Sequence, residues 1–164
     1  MKRAVKVLIG AVGYMLKTDC AVGYEAARRL RERGLEAVEL SGDVFTMIDE
    51  LKKRPHDVLI LLGARRAGRP PGAVEVYEFK PYRYRDEMEA ADALRPSLEG
   101  RISLEDLLIG LSVLGPTAGK IYVVECEPPH PEPGLGLSPE GERCAEELAR
   151  RVEELYTQLT SSPT

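Results

Sequence analysis

Few side chains in this chain are equipped for chemistry, and their placement narrows what that chemistry is. There are three cysteines, at positions 20, 126 and 144, and two histidines, at 56 and 130. Cys20 follows Asp19 where a helix is expected to begin, so peptide N–H groups and the helix dipole could lower its pKa. The favoured reading of that position is a small apolar residue packed at the helix start. A thiol enzyme built on Cys20 needs a base, and neither histidine is placed by the sequence to serve as one. His56 lies between Pro55 and Asp57 at the entry of a strand and reads as a surface histidine. His130 stands in ECEPPHPEPG with Cys126 and Glu127, three metal donors within five residues. Pro128, Pro129 and Pro131 stiffen that backbone and the spacing matches no recognised ligand pattern, so a rigid polar loop is expected.

Other chemistries lack their motifs. There is no G-x-x-x-x-G-K-[ST] to cradle a phosphate and no G-x-S-x-G to raise a serine nucleophile. Gly10 and Gly13 close a strand, but their spacing is not that of a dinucleotide fingerprint, and Glu39 is followed by Leu40 and Ser41 rather than ending its strand. Three cysteines are an odd number without C-x-x-C spacing, so neither a complete disulfide framework nor a structural zinc site is expected. A reducing cytoplasm is the simplest compartment for such a chain.

The elements that would carry these residues alternate from end to end. Val5 to Gly10 reads as a buried strand and Ala21 to Arg33 as a helix stopped by Gly34. MKRAVKVLIGAVG begins with basic residues and an apolar run, as a signal peptide does. No A-x-A-like site follows, and Thr18, Asp19 and Cys20 interrupt it, which favours the strand. Leu35 to Leu40 is a second strand, with Val38 and Leu40 on one face and Leu35 and Ala37 on the other. Ser41 or Asp43 caps a helix to about Lys53 that buries Val44, Ile48 and Leu51. DVLILL, Asp57 to Leu62, is apolar on both faces and therefore central and parallel. Gly63 to Gly72 reads as an Arg/Gly/Pro loop, and Ala73 to Phe79 as an edge strand, antiparallel, with a glutamate on each face. Lys80 to Gly100 is polar and holds one short helix, about Asp86 to Leu94. Ser103 caps a helix to Leu114 with Leu104, Leu107, Leu108, Leu111 and Leu114 inside. Gly119 to Cys126 is a fifth strand, and Ser138 to about Leu159 a last helix with Pro139 in its first turn. The expected fold is a three-layer αβα sandwich on a mostly parallel five-stranded sheet, one domain over residues 1–160 with a frayed tail at 161–164. Ligands of such sheets gather outside the carboxyl ends of the strands. That directs attention to the loops at 11–20, 63–72 and 127–137, and to 95–101 before a helix.

The 164 residues carry a net charge of −4 and 30% charged residues, which excludes disordered, collagen-like and coiled-coil classes and argues against nucleic-acid or anionic-membrane partners. No apolar run approaches the roughly 18–20 residues of a membrane helix. Asn is absent, Gln occurs once and Arg outnumbers Lys, a bias that a thermophilic source or a GC-rich genome would produce.

Taken in order, the motifs resemble those of the hydrogenase maturation endopeptidases, which trim the nickel–iron hydrogenase large subunit. The family's G-x-G-N-x-L-x-x-D-[DE]-x-x-G loop is similar to AVGYMLKTDCAVG, which keeps Gly13, Leu16, Asp19 and Gly23. LILLGARRAGRPPGAVEV resembles the layout of its third strand and following loop, SLEDLLIGLSVLG its next helix, and GLGLSPEGE its last loop and helix. The resemblance implies peptidase action on the precursor of a hydrogenase-like large subunit. It also implies nickel held by a carboxylate after the first strand, an aspartate after the third and a histidine before the SLEDLL-like helix. Those positions fall here on Cys20, on Gly63 and near Gly100, and the motif's asparagine falls on Tyr14. The ligand set is therefore replaced, and no catalytic residue is assigned. If the substrate presents cysteine-bound nickel of its own, Cys20 could add one thiolate. Asp19, Tyr14, Gly63 and Gly100 would line the site, and Arg65, Arg66 and Arg69, with Tyr82 and Tyr84, would form a docking face, since Arg and Tyr favour interfaces. Two readings follow: a divergent protease, or a non-catalytic assembly factor that binds the same subunit.

Overall fold

The structure is a computed structural model and describes residues 4–14, 17–100 and 103–161. Along the chain run β1 (Val7–Val12), a 3-10 turn (Thr18–Ala21), α1 (Val22–Glu32), β2 (Ala37–Leu40), α2 (Val44–Lys52), β3 (Val58–Ala64) and β4 (Val74–Phe79). They are followed by α3 (Glu87–Leu98), α4 (Leu104–Leu114), β5 (Lys120–Cys126) and α5 (Pro139–Ser161). The strands form one sheet in the order β2-β1-β3-β5-β4. All neighbours are parallel except β4, which runs antiparallel to β5 at the edge.

Alternation along β3 explains the layering. Leu59 and Leu61 enter one apolar cluster, Ile60 and Leu62 the other, and all four are fully buried. Helices α2 and α4 cover the first face through Val44, Met47, Ile48, Leu51, Leu104, Leu107, Leu108 and Leu111. Helices α1 and α5 cover the second through Val22, Ala26, Leu30, Ala145, Leu148 and Val152. This is the three-layer αβα sandwich expected from the alternating pattern. The faces of β2 also fall as expected, with Val38 and Leu40 in the first cluster and Leu35 and Ala37 in the second.

Local chemistry sets the helix starts. Asp43, Asp86 and Ser103 each accept a hydrogen bond from the backbone N–H three residues on, occupying an otherwise orphaned donor. The expected short helix from Asp86 instead runs through Pro96 to Leu98. A proline inside a helix removes one backbone bond; burial of Leu94 and Ser97 holds the following turn in place. The segment expected as a loop before α4 is therefore largely helical. Leu114, expected inside, is the last residue of α4 and is 45% exposed. Strand β3 extends two residues beyond its expected end, through Gly63 and Ala64. Helix α5 includes Ser161, where a frayed tail was expected, and the rest of that tail lies outside the described residues, as does Leu16.

Tight contact at the carboxyl ends of β1 and β3 demands glycine. A Cβ at Gly23 would stand 2.2 Å from the Val12 carbonyl oxygen, and one at Gly63 would stand 2.6 Å from the same atom. Those two glycines let the start of α1 press onto the sheet beside the site.

Candidate functional site

A cavity of about 500 Å³ opens where β1 and β3 end, bounded on its other side by the amino end of α4. Tyr14, Lys17, Cys20, Arg65, Arg66 and Glu105 supply its ionisable lining, with Val12, Leu104 and Pro128 as apolar wall. Its position is the one a parallel sheet reserves for ligands. Of the residues assigned to the site from the sequence, Cys20, Tyr14 and Gly100 line the cavity, as do Arg65 and Arg66. Asp19, Gly63 and Arg69 do not.

Asp19 is fully buried and is not part of the cavity lining. Its carboxylate accepts hydrogen bonds from the backbone N–H of His130 at 3.0 Å, from that of Ser138 at 2.9 Å and from the Ser138 hydroxyl at 2.6 Å. The Asp19 N–H in turn donates to the His130 carbonyl at 2.9 Å. The chain before it adopts an unusual shape, since Thr18 has φ +41°, left-handed territory that a β-branched residue rarely enters. Bonds from Thr18 to the carbonyls of Gly134 and Glu132 hold it there. Asp19 thus fastens the β5–α5 loop to the β1–α1 loop and leaves its neighbour, Cys20, in the cavity.

Cys20 is a free thiol and only partly exposed. It sits in the 3-10 turn before α1, not at the first turn of that helix. The helix start does not lower its pKa: burial pushes the thiol up, against a smaller opposing pull from Lys17 and Arg66. A protonated thiol is a poor nucleophile and a poor metal ligand.

The three arginines expected on a docking face divide. Arg65 and Arg69 turn inward onto Glu125, which is wholly buried on β5. Arg65 Nε donates to the Glu125 carboxylate at 2.9 Å and Arg69 Nη2 reaches it at 2.8 Å. The Tyr77 hydroxyl donates to the same group at 2.6 Å. Burial first, and then the Glu125 carboxylate beside it, pushes the Tyr77 pKa up, so the phenol stays protonated. Arg65 also reaches Glu105 at 3.3 Å, and so does the Tyr82 hydroxyl at 3.2 Å. Burial and the Glu105 charge push the Tyr82 pKa up to about 12. Behind them Glu127 accepts from the N–H groups of Ala67 and Arg69. Burial alone would raise its carboxyl; those amides and the Arg69 guanidinium hold it below the usual range instead. Only Arg66 is left exposed.

The cysteines and histidines elsewhere are engaged in structure. Cys126 and Cys144 form a disulfide between the end of β5 and α5, with Cα atoms 6.6 Å apart. An odd number of cysteines therefore resolves into one bridge and one free thiol, and Cys126 is withdrawn from any ligand set with His130. His130 faces Glu140 and Glu132, at 3.5 and 3.9 Å. His56 lies at the opposite end of β3, its ring nitrogens against the Arg54 carbonyl and the Thr117 hydroxyl.

A resident nickel ion does not fit this donor set. Cys20 brings one thiol held protonated, and Gly63 and Gly100 bring no side chain. Lys17 and Arg66 place positive charge beside the thiol. Among the described residues no three Cys, His, Asp or Glu side chains gather to hold a metal ion. An aspartate could not be restored at Gly63 without moving the Val12 carbonyl.

Sequence reasoning missed Lys17, Glu105 and Glu125. Glu125 did leave a trace, a carboxylate inside the apolar run of β5, which requires a buried partner.

No family model matches the chain, and no curated protein does. Solved structures do. An endopeptidase from Escherichia coli aligns with TM-score 0.67 at 22% identity, over 97% of this chain and 99% of that one. The hydrogenase maturating endopeptidase HybD from E. coli aligns at 0.64 and 22%, over 93% of each chain. The [NiFe] hydrogenase maturation protease HybD from Thermococcus kodakarensis aligns at 0.62 and 21%, over 92% of this chain and 98% of that one. The likeness covers more than nine-tenths of each chain, and the chain has the fold of the hydrogenase maturation endopeptidases.

Proposed function

We propose that this protein is a hydrogenase maturation protease-like protein that acts on the C-terminal tail of a metalloenzyme large-subunit precursor, with its metal ligands replaced. The observation that carries this reading is alignment over more than nine-tenths of both chains with solved maturation proteases. Any nickel in the reaction then belongs to the substrate. Within this reading the cavity holds the tail, and Tyr14, Lys17 and Arg66 are the side chains that reach it from the exposed rim.

A second reading, a non-catalytic assembly factor for the same subunit, is favoured by one specific observation. The cavity thiol, Cys20, is held protonated, and among the described residues no ligand set surrounds it. Incubation with a purified nickel-enzyme large-subunit precursor separates the two. Loss of the tail, read by intact mass, supports the protease. A stable complex with the tail intact, seen by size-exclusion chromatography, supports the assembly factor. Neither cleavage nor a complex overturns both.

We further propose a cytoplasmic protein of a heat-adapted organism. In support, no helix among the described residues is long and apolar enough to cross a membrane. The Cys126–Cys144 bridge removes the reason for expecting a reducing compartment and fits a cytoplasm only in a hyperthermophile, whose intracellular proteins do carry disulfides. Ion pairs from Arg29 of α1 and Arg33 just after it to Glu142, Glu146 and Glu153 of α5 form the kind of surface network that gains weight at high temperature.

A further inference from the structure

The cavity departs from its surroundings in charge. The chain as a whole is acidic, with net charge −4. The cavity lining carries three cations, Lys17, Arg65 and Arg66, against one carboxylate, Glu105. Arg65 is already satisfied by Glu125 and Glu105. Lys17 and Arg66 are not: among the described residues neither meets a carboxylate. The Lys17 ammonium lies 5.6 Å from the Tyr14 ring centroid instead. Glu105 cannot neutralise them, because it is held by Arg65 and the Tyr82 hydroxyl. The amino end of α4 borders the same space and adds positive potential to it.

We propose that this cavity binds a peptide carboxylate, held between Lys17 and Arg66, where a metal centre would otherwise stand. The proposal rests on the reading that the cavity receives a polypeptide tail and names the chemical group it takes. A guanidinium presents paired donors matched to a carboxylate, and an ammonium adds a compact second charge. Val12, Leu104 and Pro128 offer apolar contact to the stem that carries the group. Two exposed cations that meet no carboxylate among the described residues are what an incoming anion requires. Cys20 lies beside them as a neutral thiol and does not compete.

Two sources of carboxylate exist in a peptide, the chain terminus and an acidic side chain, and one set of probes distinguishes them. The probes are an acetylated decapeptide of Gly, Ala and Val with one central Asp and a free C-terminus, its C-terminal amide, the free acid with Asn for Asp, and the amide with Asn for Asp. Each is titrated calorimetrically into the full chain and into the Lys17→Gln/Arg66→Gln variant, whose altered side chains are exposed. The uncharged peptide is expected to bind at least tenfold more weakly than the doubly charged one. The variant is expected to lose at least tenfold for the charged peptide and to change little for the uncharged one. Loss on amidation identifies the terminus, and loss on Asp-to-Asn exchange the side chain; either supports the proposal. Equal binding of charged and uncharged peptides, unchanged binding by the variant, or no binding of any peptide overturns it. Complex formation with the large-subunit precursor is measured in parallel. A precursor that binds both forms of the protein equally removes this proposal and leaves the functional reading. A charged peptide that binds while the precursor does not removes the functional reading and leaves this proposal.

Discussion

Two groups of charges meet at the carboxyl end of the sheet, and Arg65 belongs to both. On one side Glu125 is fully buried and takes hydrogen bonds from Arg65, Arg69 and Tyr77. On the other, Lys17 and Arg66 stand exposed around a cavity, without a carboxylate of their own among the described residues. Burial makes the difference. A charge removed from water must be paired and hydrogen-bonded, so the Glu125 cluster is committed to holding β3, β4, β5 and the loop after β3 together. Charges left in water can remain unpaired at little cost and stay available to a ligand. The same residue type, arginine, serves as framework at positions 65 and 69 and as a candidate binding group at 66.

The largest expected effect falls on the framework side. Replacing Glu125 by Gln leaves Arg65 and Arg69 without their central anion and should cost about 3–5 kcal/mol, the range for breaking one partner out of a buried pair. Lys17→Gln/Arg66→Gln should stay within about 0.5 kcal/mol of the parent. Urea unfolding of the three proteins measures both. Equal losses would erase the distinction between the two regions.

Next comes the covalent tie behind the framework. The Cys126–Cys144 bridge spans a sequence separation of 18. A loop of that length restricts the unfolded chain by about 3 kcal/mol, and at about 2–4 °C per kcal/mol the double Ala variant should melt roughly 10 °C lower. Thiol titration of the native protein should find one reactive group, Cys20, and three only after reduction.

Much of the framework was legible in the sequence because it follows periodicity. The two-faced apolar run of β3, the alternating β2 and the caps at Asp43 and Ser103 are local patterns with local causes. The glutamates of β4 marked an edge strand because a central strand could not have hydrated them. The site was only half legible. Strand ends pointed to the right loops, but which arginine turns inward depends on Glu125, a residue 60 positions from Arg65 in sequence. The sense of the Cys20 shift was equally hidden. Proximity to a helix start argued for a lower pKa, whereas the close packing of the β1–α1 loop, anchored by Asp19, buries the thiol and raises it.

Asp19 and Cys20 repeat the comparison at adjacent positions. Asp19→Asn removes the charge that draws in three donors, which should cost about 2 kcal/mol. Cys20→Ala should cost under about 1 kcal/mol, since its side chain lines the cavity and carries no bond the fold needs. Guanidinium unfolding of the two variants is the check. A costlier Cys20→Ala would move that residue from the site into the framework.

Glu127 gives the framework side a pH signature. Its carboxyl lies below the ordinary range when folded, so it binds a proton less readily there than in the unfolded chain. Its contribution is therefore complete above the ordinary glutamate pKa and fades as pH falls through the lower folded value. Glu127→Gln should flatten the loss of stability below about pH 5 and leave carboxylate-peptide binding at pH 7 unchanged. A variant with the parent's acid profile would contradict this.

Cys20 carries the smallest effect and reports directly on the cavity field. Its pKa is raised by burial from an ordinary value of 9.0, with Lys17 and Arg66 pulling the other way. Only the thiolate reacts with iodoacetamide, so the alkylation rate at neutral pH should fall below that of an unstructured cysteine peptide and climb about tenfold per pH unit toward a midpoint above the free value. Removing the two cations in Lys17→Gln/Arg66→Gln removes the opposing pull and should move that midpoint higher still. A carboxylate seated between them should move the parent's midpoint in the same direction, because it cancels the same charges, and should leave the double variant's midpoint in place. Alkylation faster than that of a free cysteine at neutral pH would mean that charge outweighs burial around the thiol, and the cavity would then be a place to activate Cys20 rather than to seat an anion beside it.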